Sequence, residues 1–251
     1  NSIYYRRSEL GQRPDLENLH SSIFSAVDQL TLPPDVIQRL QALNLKREAN
    51  SRDFFKLNAD KFQQQQDMIA NYEQYADTVV QVLDEAPLKA NEVVLEVGPG
   101  DGSFLLALSP RFKRVVALDN AAEMLDTARQ RATNAGLLNI EFIHGDTTDE
   151  ALPALFADCV VLNMVLHHTP APGQILKDIA RSLSPTGVVL VTDLCRHDQG
   201  WARENCGDLW LGFDPQELGC WANKAGLKDM ASVYLAQRNG FQIQVRLFGH
   251  S

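Results

Sequence analysis

Five short apolar segments, four of them rich in valine, alternate with helix-like segments over residues 88–193. The predicted strands are 93–97, 114–119, 140–144, 159–163 and 187–193. Between them the apolar spacing predicts helices at about 102–109, 121–135, 149–156 and 172–183. Apolar strands that alternate with helices are typical of a parallel sheet covered by helices on both faces. The sequence therefore predicts a doubly wound α/β fold.

The C-terminal residues break this alternation. Residues 230–237 and 241–248 both have strand-like sequences, and Arg238-Asn239-Gly240 joins them. Asn-Gly between two strands favours a type I′ turn, because both central residues of that turn need a positive φ. We therefore expect a mostly parallel, seven-stranded sheet in which the last strand is antiparallel. A dinucleotide-binding fold does not require such an ending.

A glycine-rich turn follows the first predicted strand. Residues 93–104 read VVLEVGPGDGSF, with glycines at 98, 100 and 102. A strand, a glycine turn and a helix in this order present backbone N–H groups to a nucleotide-like ligand. A dehydrogenase fingerprint has its third glycine at the position that Ser103 occupies here. The turn alone does not decide between nicotinamide, flavin and sulfonium ligands.

The carboxylate of Glu96 narrows the choice of ligand. Glu96 lies two residues before the turn, where its charge would repel a pyrophosphate and attract a cation. S-adenosylmethionine (SAM) carries an ammonium and a sulfonium and no phosphate. A nicotinamide oxidoreductase is the weaker alternative, because Ser103 and Glu96 both count against it.

Two further acidic residues follow the next two strands. Asp119 ends the second strand, 19 residues after Gly100, where a carboxylate accepts hydrogen bonds from ribose hydroxyls. This spacing suits NAD and SAM equally. Asp146 follows the third strand, where its carboxylate either accepts a hydrogen bond from an adenine amino group or caps the next helix. The two roles are compatible.

Residues 51–251 resemble the class I SAM-dependent methyltransferases. The resemblance rests on E-V-G-P-G-D-G at 96–102, A-L-D at 117–119, H-G-D at 144–146 and the strand at 159–163. It implies a Rossmann-like methyltransferase fold, SAM as the methyl donor and S-adenosylhomocysteine as a product. It also implies cofactor contacts at Glu96, Gly98, Gly100, Asp119 and Asp146, to which we add Asn120, Thr147 and Asn163.

A narrower resemblance involves residues 197–226 and the N-terminus. H-D at 197–198, Trp201 and W-L-G-F at 210–213 resemble methyltransferases fused behind a winged-helix repressor of the arsenic-repressor (ArsR) type. S-I-Y-Y-R-R at 2–7 is similar to the last strand of such a wing. The resemblance implies an N-terminal arm at 1–50, made of the wing end and a helical linker, before a methyltransferase domain at 51–251. DNA binding would then need a winged-helix region absent from this chain, and a SAM sensor with little turnover is an alternative function.

The predicted arm contains two helix-like segments, at about 15–30 and 34–48. Apolar residues of the first segment recur three and four positions apart, at Leu16, Leu19, Ile23, Val27 and Leu30. A helix with such an apolar face must bury it on the main domain or on another subunit. The pattern therefore suggests a homodimer formed through the N-terminal helices.

The predicted catalytic residues are His168, His167 and Asn163, which follow the fourth strand. At the carboxyl end of a parallel sheet they would face the transferred methyl group, and one histidine would act as a base or position the acceptor. The alternative is that one histidine packs under the sheet edge and the other lies at the surface. After the fifth strand, Asp193 and Arg196 either line the acceptor site, together with His197, or form a salt bridge.

Composition limits the remaining classes of function. The net charge of −9 argues against a broad nucleic-acid surface, and no apolar run approaches the length of a membrane helix. The four cysteines form no CxxC pair, and the set Cys195, His197 and His168 lacks a ligand spacing, so no metal site is predicted. We therefore expect a cytoplasmic SAM-dependent methyltransferase that acts on a small molecule which the sequence does not identify.

Overall fold

The computed structural model describes residues 14–58, 62–148, 152–154 and 156–250. The chain divides into two compact units, Asn1–Leu43 and Asn44–Ser251. The wing-like residues 2–7 lie outside the described residues. Among the described helices, none is long and apolar enough to cross a membrane.

Two helices form the N-terminal part of the described chain, α1 (Pro14–Asp28) and α2 (Pro34–Asn58). Helix α2 is longer than the predicted segment 34–48, and the predicted domain boundary after residue 50 falls inside it. On α1 the apolar side chains of Leu19, Ile23 and Val27 are each about half exposed.

The second unit is built around one sheet of seven strands. The strands are β1 (Val93–Val97), β2 (Arg114–Asp119), β3 (Ile140–His144), β4 (Ala157–Asn163), β5 (Leu183–Leu194), β6 (Leu227–Ala236) and β7 (Gln242–His250). Their order is β3-β2-β1-β4-β5-β7-β6. Strand β7 is antiparallel to both of its neighbours, and the other neighbouring pairs are parallel. The predicted mostly parallel sheet and its antiparallel last strand are confirmed.

Helices cover both faces of this sheet. They are α3 (Phe62–Ile69), α4 (Tyr72–Asp84), α5 (Leu105–Leu108), α6 (Ala122–Asn134), α7 (Pro172–Ser182), α8 (Trp201–Asn205) and α9 (Pro215–Lys224). Tyr75 and Val79 of α4 belong to one buried cluster, and Leu176 of α7 and Leu218 of α9 belong to another. The doubly wound α/β fold with a helical N-terminal arm is therefore confirmed. The predicted helix at 149–156 is wrong where it is described, since residues 152–154 form a bend and a turn.

The turn between β6 and β7 differs from the predicted type I′ turn. Gly240 has a φ of +90°, but Asn239 does not have a positive φ. The Gly240 N–H donates to the carbonyl of Gln237 at 3.2 Å, which is typical of a turn followed by a left-handed glycine. The Asn239 side chain instead donates to the carbonyls of Met68 and Ile69, at 3.1 and 2.8 Å. This long-range contact holds the end of α3, and the local sequence does not reveal it.

The strand order reverses between β1 and β4. The chain crosses from β1 to β2 on one side and from β4 to β5 on the other. In open α/β sheets such a reversal leaves a crevice beyond the carboxyl ends of the two strands, where ligands bind.

Candidate cofactor and acceptor site

A cavity of about 420 Å³ lies beyond the carboxyl ends of the central strands. Its wall includes seven predicted site residues, namely Gly98, Gly100, Asp119, Asn120, Asp146, Thr147 and His168. Residues far apart in the sequence meet here because parallel strands end at the same edge of the sheet. Three other predicted residues, Glu96, Asn163 and His167, do not line this cavity.

The glycine turn after β1 has a conformation that requires glycine. Gly98, Gly100 and Gly102 have φ values of +67°, +57° and +78°, in the left-handed region that L side chains rarely adopt. A Cβ on Gly98 would lie 2.8 Å from Cγ2 of Val165, and a Cβ on Gly102 would lie 2.9 Å from Cα of Ala128. The turn therefore exposes bare backbone to the cavity while α6 packs closely behind it.

Glu96 is buried behind this turn, with 1% of its surface exposed. Its Oε2 has no hydrogen-bond partner among the described residues. Burial, and then the charges of Asp101 and Asp119, raise the pKa of Glu96 to about 8. A buried carboxylate without donors is costly to ionise, and a cationic group beside it relieves that cost. The site therefore fits a ligand that carries an ammonium, as SAM does.

Asp119 lies on the cavity wall at the end of β2. Its Oδ1 accepts a hydrogen bond from the N–H of Ala121 at 2.9 Å, which fixes the carboxylate at the start of α6. Burial raises the pKa of Asp119 to about 6, although backbone N–H groups oppose the rise. The residue is thus a positioned acceptor at the place where the sequence predicts a ribose contact.

Asp146 closes a local turn after β3. Its Oδ1 accepts from the N–H of Thr148 at 2.7 Å and also from the Thr148 hydroxyl. The side chain thus closes a turn with Thr148, and Asp146 also lines the cavity. The start of the helix that it was predicted to cap lies outside the described residues. The adenine contact stays a prediction. Next to it the buried Thr147 hydroxyl donates to Oδ2 of Asp178 at 3.3 Å.

His167 packs beneath the sheet edge and is fully buried. Its Nδ1 lies 2.8 Å from Oδ1 of Asp193, whose Oδ2 accepts from the N–H of Leu166 at 2.9 Å. Burial disfavours the charged ring, but Asp193 and Asp208 outweigh it and raise the pKa of His167 to about 9. His167 therefore lies beneath the sheet edge, the position that the sequence offered as the alternative for one of the two histidines.

The predicted acceptor wall after β5 is wrong for Asp193, which is fully buried against His167. Arg196 is exposed, and the salt bridge between Asp193 and Arg196 is absent from the described ion pairs. His197 is half-buried against Phe241 and does not line the cavity. Asp193 lies within β5, Arg196 and His197 follow it, and none of the three side chains lines the cavity.

His168 is the histidine on the cavity wall. Its Nε2 lies 3.3 Å from Nε2 of Gln66, and its Nδ1 lies 3.4 Å from the carbonyl of Gly207. Burial, followed by the nearby His167, holds the pKa of His168 well below its ordinary value. A neutral imidazole therefore faces the cavity. Asn163 lies deeper, beside the hydroxyl of Tyr75.

Helix α2 also contributes to this cavity, with residues that the sequence did not indicate, among them Asn44, Glu48 and Ser51. The wall includes Asn44, Glu48, Ser51 and Phe55 of that helix. Their spacing of four, three and four places them on one helical face, which is the signal that the sequence offered. The Ser51 hydroxyl donates to the carbonyl of His168 at 3.1 Å, and the Phe55 ring packs edge-on to its imidazole at 4.9 Å.

Met164 is a further wall residue that the sequence did not indicate. It has a φ of +57°, a conformation that is rare for residues other than glycine. Its N–H donates to the carbonyl of Thr192 at 2.8 Å, so the pairing of β4 with β5 supports the unusual backbone. Strained residues of this kind cluster at ligand sites.

Comparison with known proteins matches residues 95–191 to a methyltransferase domain family. A ubiquinone biosynthesis O-methyltransferase from Idiomarina loihiensis is 33% identical over 152 residues, which cover 55% of this chain and 62% of that relative. The match therefore spans less than two thirds of the relative's length.

Solved structures share the fold at low sequence identity. A SAM-dependent methyltransferase from Aquifex aeolicus has a TM-score of 0.57 at 20% identity, covering 78% of this chain and 97% of that one. The [4+2]-cyclase SpnF has a TM-score of 0.59 at 16% identity, covering 70% and 80% of the two chains. The second likeness illustrates that this fold alone does not define a reaction. Residues 95–191, which include the glycine turn, therefore match a methyltransferase domain.

Proposed function

We propose that this protein transfers the methyl group of SAM to a hydroxyl group of a small molecule bound in the cavity beside His168. The observation that carries the proposal is a buried, neutral imidazole on the same cavity wall as the glycine turn and Asp119. The relative from Idiomarina loihiensis is named for O-methyl transfer, which supports an oxygen acceptor.

Each proposed cofactor contact has a distinct task. The backbone of Gly98 and Gly100 holds the amino-acid end, and the buried carboxylate of Glu96 behind the turn attracts its ammonium group. Asp119 accepts hydrogen bonds from the ribose. Asp146 accepts from the adenine amino group. SAM, when bound, supplies the sulfonium methyl group.

The acceptor is held by the other side of the cavity wall. Methyl transfer is an in-line displacement, so the alignment of the acceptor oxygen contributes most of the rate enhancement. His168 orients that oxygen by a hydrogen bond. The Ser51 hydroxyl holds the backbone of His168, and the Phe55 ring packs against its imidazole.

His168→Gln is expected to lower turnover by roughly 100-fold or more while SAM affinity stays the same, because the substitution removes an imidazole contact to the acceptor. The measurement is S-adenosylhomocysteine release across a panel of phenols and aliphatic alcohols, with calorimetry for SAM. His250→Gln, at an exposed histidine at the end of β7, is the matched control. Turnover equal to the wild type would contradict the assignment of His168.

The same assay separates the enzyme from a regulator. Tight SAM binding without S-adenosylhomocysteine from any acceptor would favour the SAM sensor of an ArsR-type regulator. DNA binding through an upstream winged helix stays a prediction from the resemblance of residues 2–7 and 197–226.

Asp119→Ala is expected to weaken SAM binding by about 1–3 kcal/mol, because one charged hydrogen-bond acceptor for the ribose is lost. Calorimetry measures the change. Asp126→Ala, at an exposed position of α6, is the control. If SAM binds the Asp119 variant as tightly as the wild type, the ribose contact is wrong.

We also propose that the chain self-associates through the apolar face of α1. Leu19, Ile23 and Val27 on that helix are between 48% and 58% exposed. Ile23→Lys is expected to shift the protein from dimer to monomer in sedimentation velocity, because a charge in an apolar interface is costly. Ser25→Lys adds the same charge off this face and should leave the dimer intact. A wild-type monomer at all concentrations would refute the proposal.

A further inference from the structure

Three buried side chains converge beneath the cavity wall. Oδ1 of Asp208 lies 3.9 Å from Nε2 of His167 and 3.8 Å from Nδ1 of His168. One nitrogen or oxygen atom from each residue lies within 4.8 Å of the others. Asp208 follows His168 by 40 residues and lies in the loop after α8. Because Asp208 is so far from the two histidines along the chain, no short sequence motif indicates the cluster.

The polar atoms at the centre of this cluster are unsatisfied. Asp208 is 2% exposed, and neither of its carboxylate oxygens has a hydrogen-bond partner among the described residues. Nε2 of His167 is equally buried and has no partner in the same set of residues. Separations of 3.8 and 3.9 Å are too long for hydrogen bonds. Leaving such groups unpaired is costly, so a group that contacts all three at once would stabilise the site.

The surroundings of His167 orient its ring toward this centre. Asp193 lies 2.8 Å from Nδ1 of His167 and is itself fixed by the N–H of Leu166. The opposite nitrogen, Nε2, is therefore the one directed at Asp208. A carboxylate behind one ring nitrogen and a metal ion before the other is the usual arrangement of histidine ligands.

We propose that Nε2 of His167, Nδ1 of His168 and a carboxylate oxygen of Asp208 bind one divalent transition-metal ion of the Zn²⁺ type. Two imidazoles and one carboxylate form a donor set that suits such ions and leaves a fourth position open. The double positive charge of the ion balances the carboxylates of Asp193 and Asp208.

The distances agree with a ligand set that closes slightly on the ion. Bonds of about 2.1 Å in a tetrahedral site place the donor atoms about 3.4 Å apart. The observed separations of 3.8 and 3.9 Å therefore require the side chains to move by about half an ångström. Because His168 also lines the cavity, the site lies at the edge of the proposed acceptor position. To bind the ion, Nδ1 of His168 gives up its contact with the carbonyl of Gly207, and the ring proton then lies on Nε2, beside Gln66. The proposal concerns ion binding and does not depend on methyl transfer.

The test is titration of the full, chelator-treated chain with Co²⁺, followed by its visible d–d absorption, and competition with Zn²⁺ in calorimetry. The wild type should bind one ion per chain with a tetrahedral or five-coordinate spectrum. Asp208→Asn and His167→Gln should each weaken binding by about 100-fold or more, and Asp193→Asn by about 10- to 100-fold as an outer partner. His250→Gln and Cys220→Ser, at exposed positions, should change nothing.

Thermal melting tests whether each variant is folded. Without metal, Asp208→Asn should be at least as stable as the wild type, since it removes a buried carboxylate that lacks donors. Zn²⁺ should raise the melting temperature of the wild type and leave that of Asp208→Asn unchanged. The proposal is overturned if the wild type binds no ion, if Asp208→Asn binds as tightly, or if binding is lost in the His250 or Cys220 controls, which would indicate an adventitious surface ion only.

Discussion

Glu96→Gln is expected to weaken SAM binding and, above pH 8, to raise the melting temperature of the unliganded protein. The carboxylate is buried, and its Oε2 lacks a partner in the described part of the chain, so its ionised form destabilises the empty site. The same charge attracts the cationic end of SAM. The variant should therefore bind SAM more weakly and, above pH 8, be more stable than the wild type.

The raised pKa of Glu96 determines how the stability of the protein changes with pH. The pKa of Glu96 rises from 4.5 to about 8 on folding, so between these values the folded state holds a proton that the unfolded state has lost. Stability therefore falls as pH rises through this window, by at most about 1.4 kcal/mol per pH unit, and the loss is complete above pH 8. In Glu96→Gln this contribution disappears. Urea unfolding from pH 5 to 9 compares the two slopes.

The affinity for SAM should change with pH in the opposite direction to stability. Because SAM favours the carboxylate, its affinity for the wild type should rise relative to the variant as pH increases toward 8. The titration of the ligand itself is common to both proteins and cancels in the comparison. Glu92→Gln, at an exposed carboxylate paired with Lys113, is the control. Parallel pH profiles for the wild type and Glu96→Gln would contradict the role of Glu96.

Gly102→Ala is expected to destabilise the domain by roughly 2–5 kcal/mol, because left-handed strain and overpacking add. Gly102 has a φ of +78°, and its new Cβ would lie 2.9 Å from the backbone of Ala128 in α6. Backbone cannot rotate away as a side chain does, so the turn or the helix must shift. SAM affinity should fall as well, because the same turn lines the cavity.

Gly136→Ala provides a matched control for this effect. Gly136 has a similar φ of +69° at the end of α6, but a Cβ there would meet nothing within 4 Å. The cost should be about 1–2 kcal/mol, from backbone conformation alone, with SAM affinity unchanged. Urea unfolding of both variants measures the difference. Equal losses of stability would show that the close approach of α6 to the turn does not matter.

Local sequence patterns predicted the parts of the site that depend on backbone conformation. Glycines are needed where the turn has positive φ, and the length of the predicted second strand places Asp119 at its carboxyl end. The prediction failed where a distant partner decides the conformation. The Asn-Gly turn does not adopt type I′ geometry, and the Asn239 side chain bonds to the end of α3, 170 residues away.

His167 and His168 show the same difference between what the local sequence predicts and what distant contacts decide. Both histidines follow β4, and the sequence treats them as nearly equivalent candidates. Only the packing of β5 and of the loop after α8 separates them, because Asp193 holds His167 below the sheet edge while His168 remains on the cavity wall. The position of Asp208 beside both rings likewise has no local signal.

By itself, the sequence determined the alternating strands and helices, the antiparallel last strand, the glycine turn and the acidic residues beside it. These features depend on hydrophobic period, backbone conformation and charge, which act within a few residues. The tertiary structure alone decided which face of α2 joins the cavity, which histidine reaches it, and how Asp208 meets both rings. Those outcomes depend on contacts between residues tens of positions apart, and only the closing of the sheet and the packing of its helices bring them together.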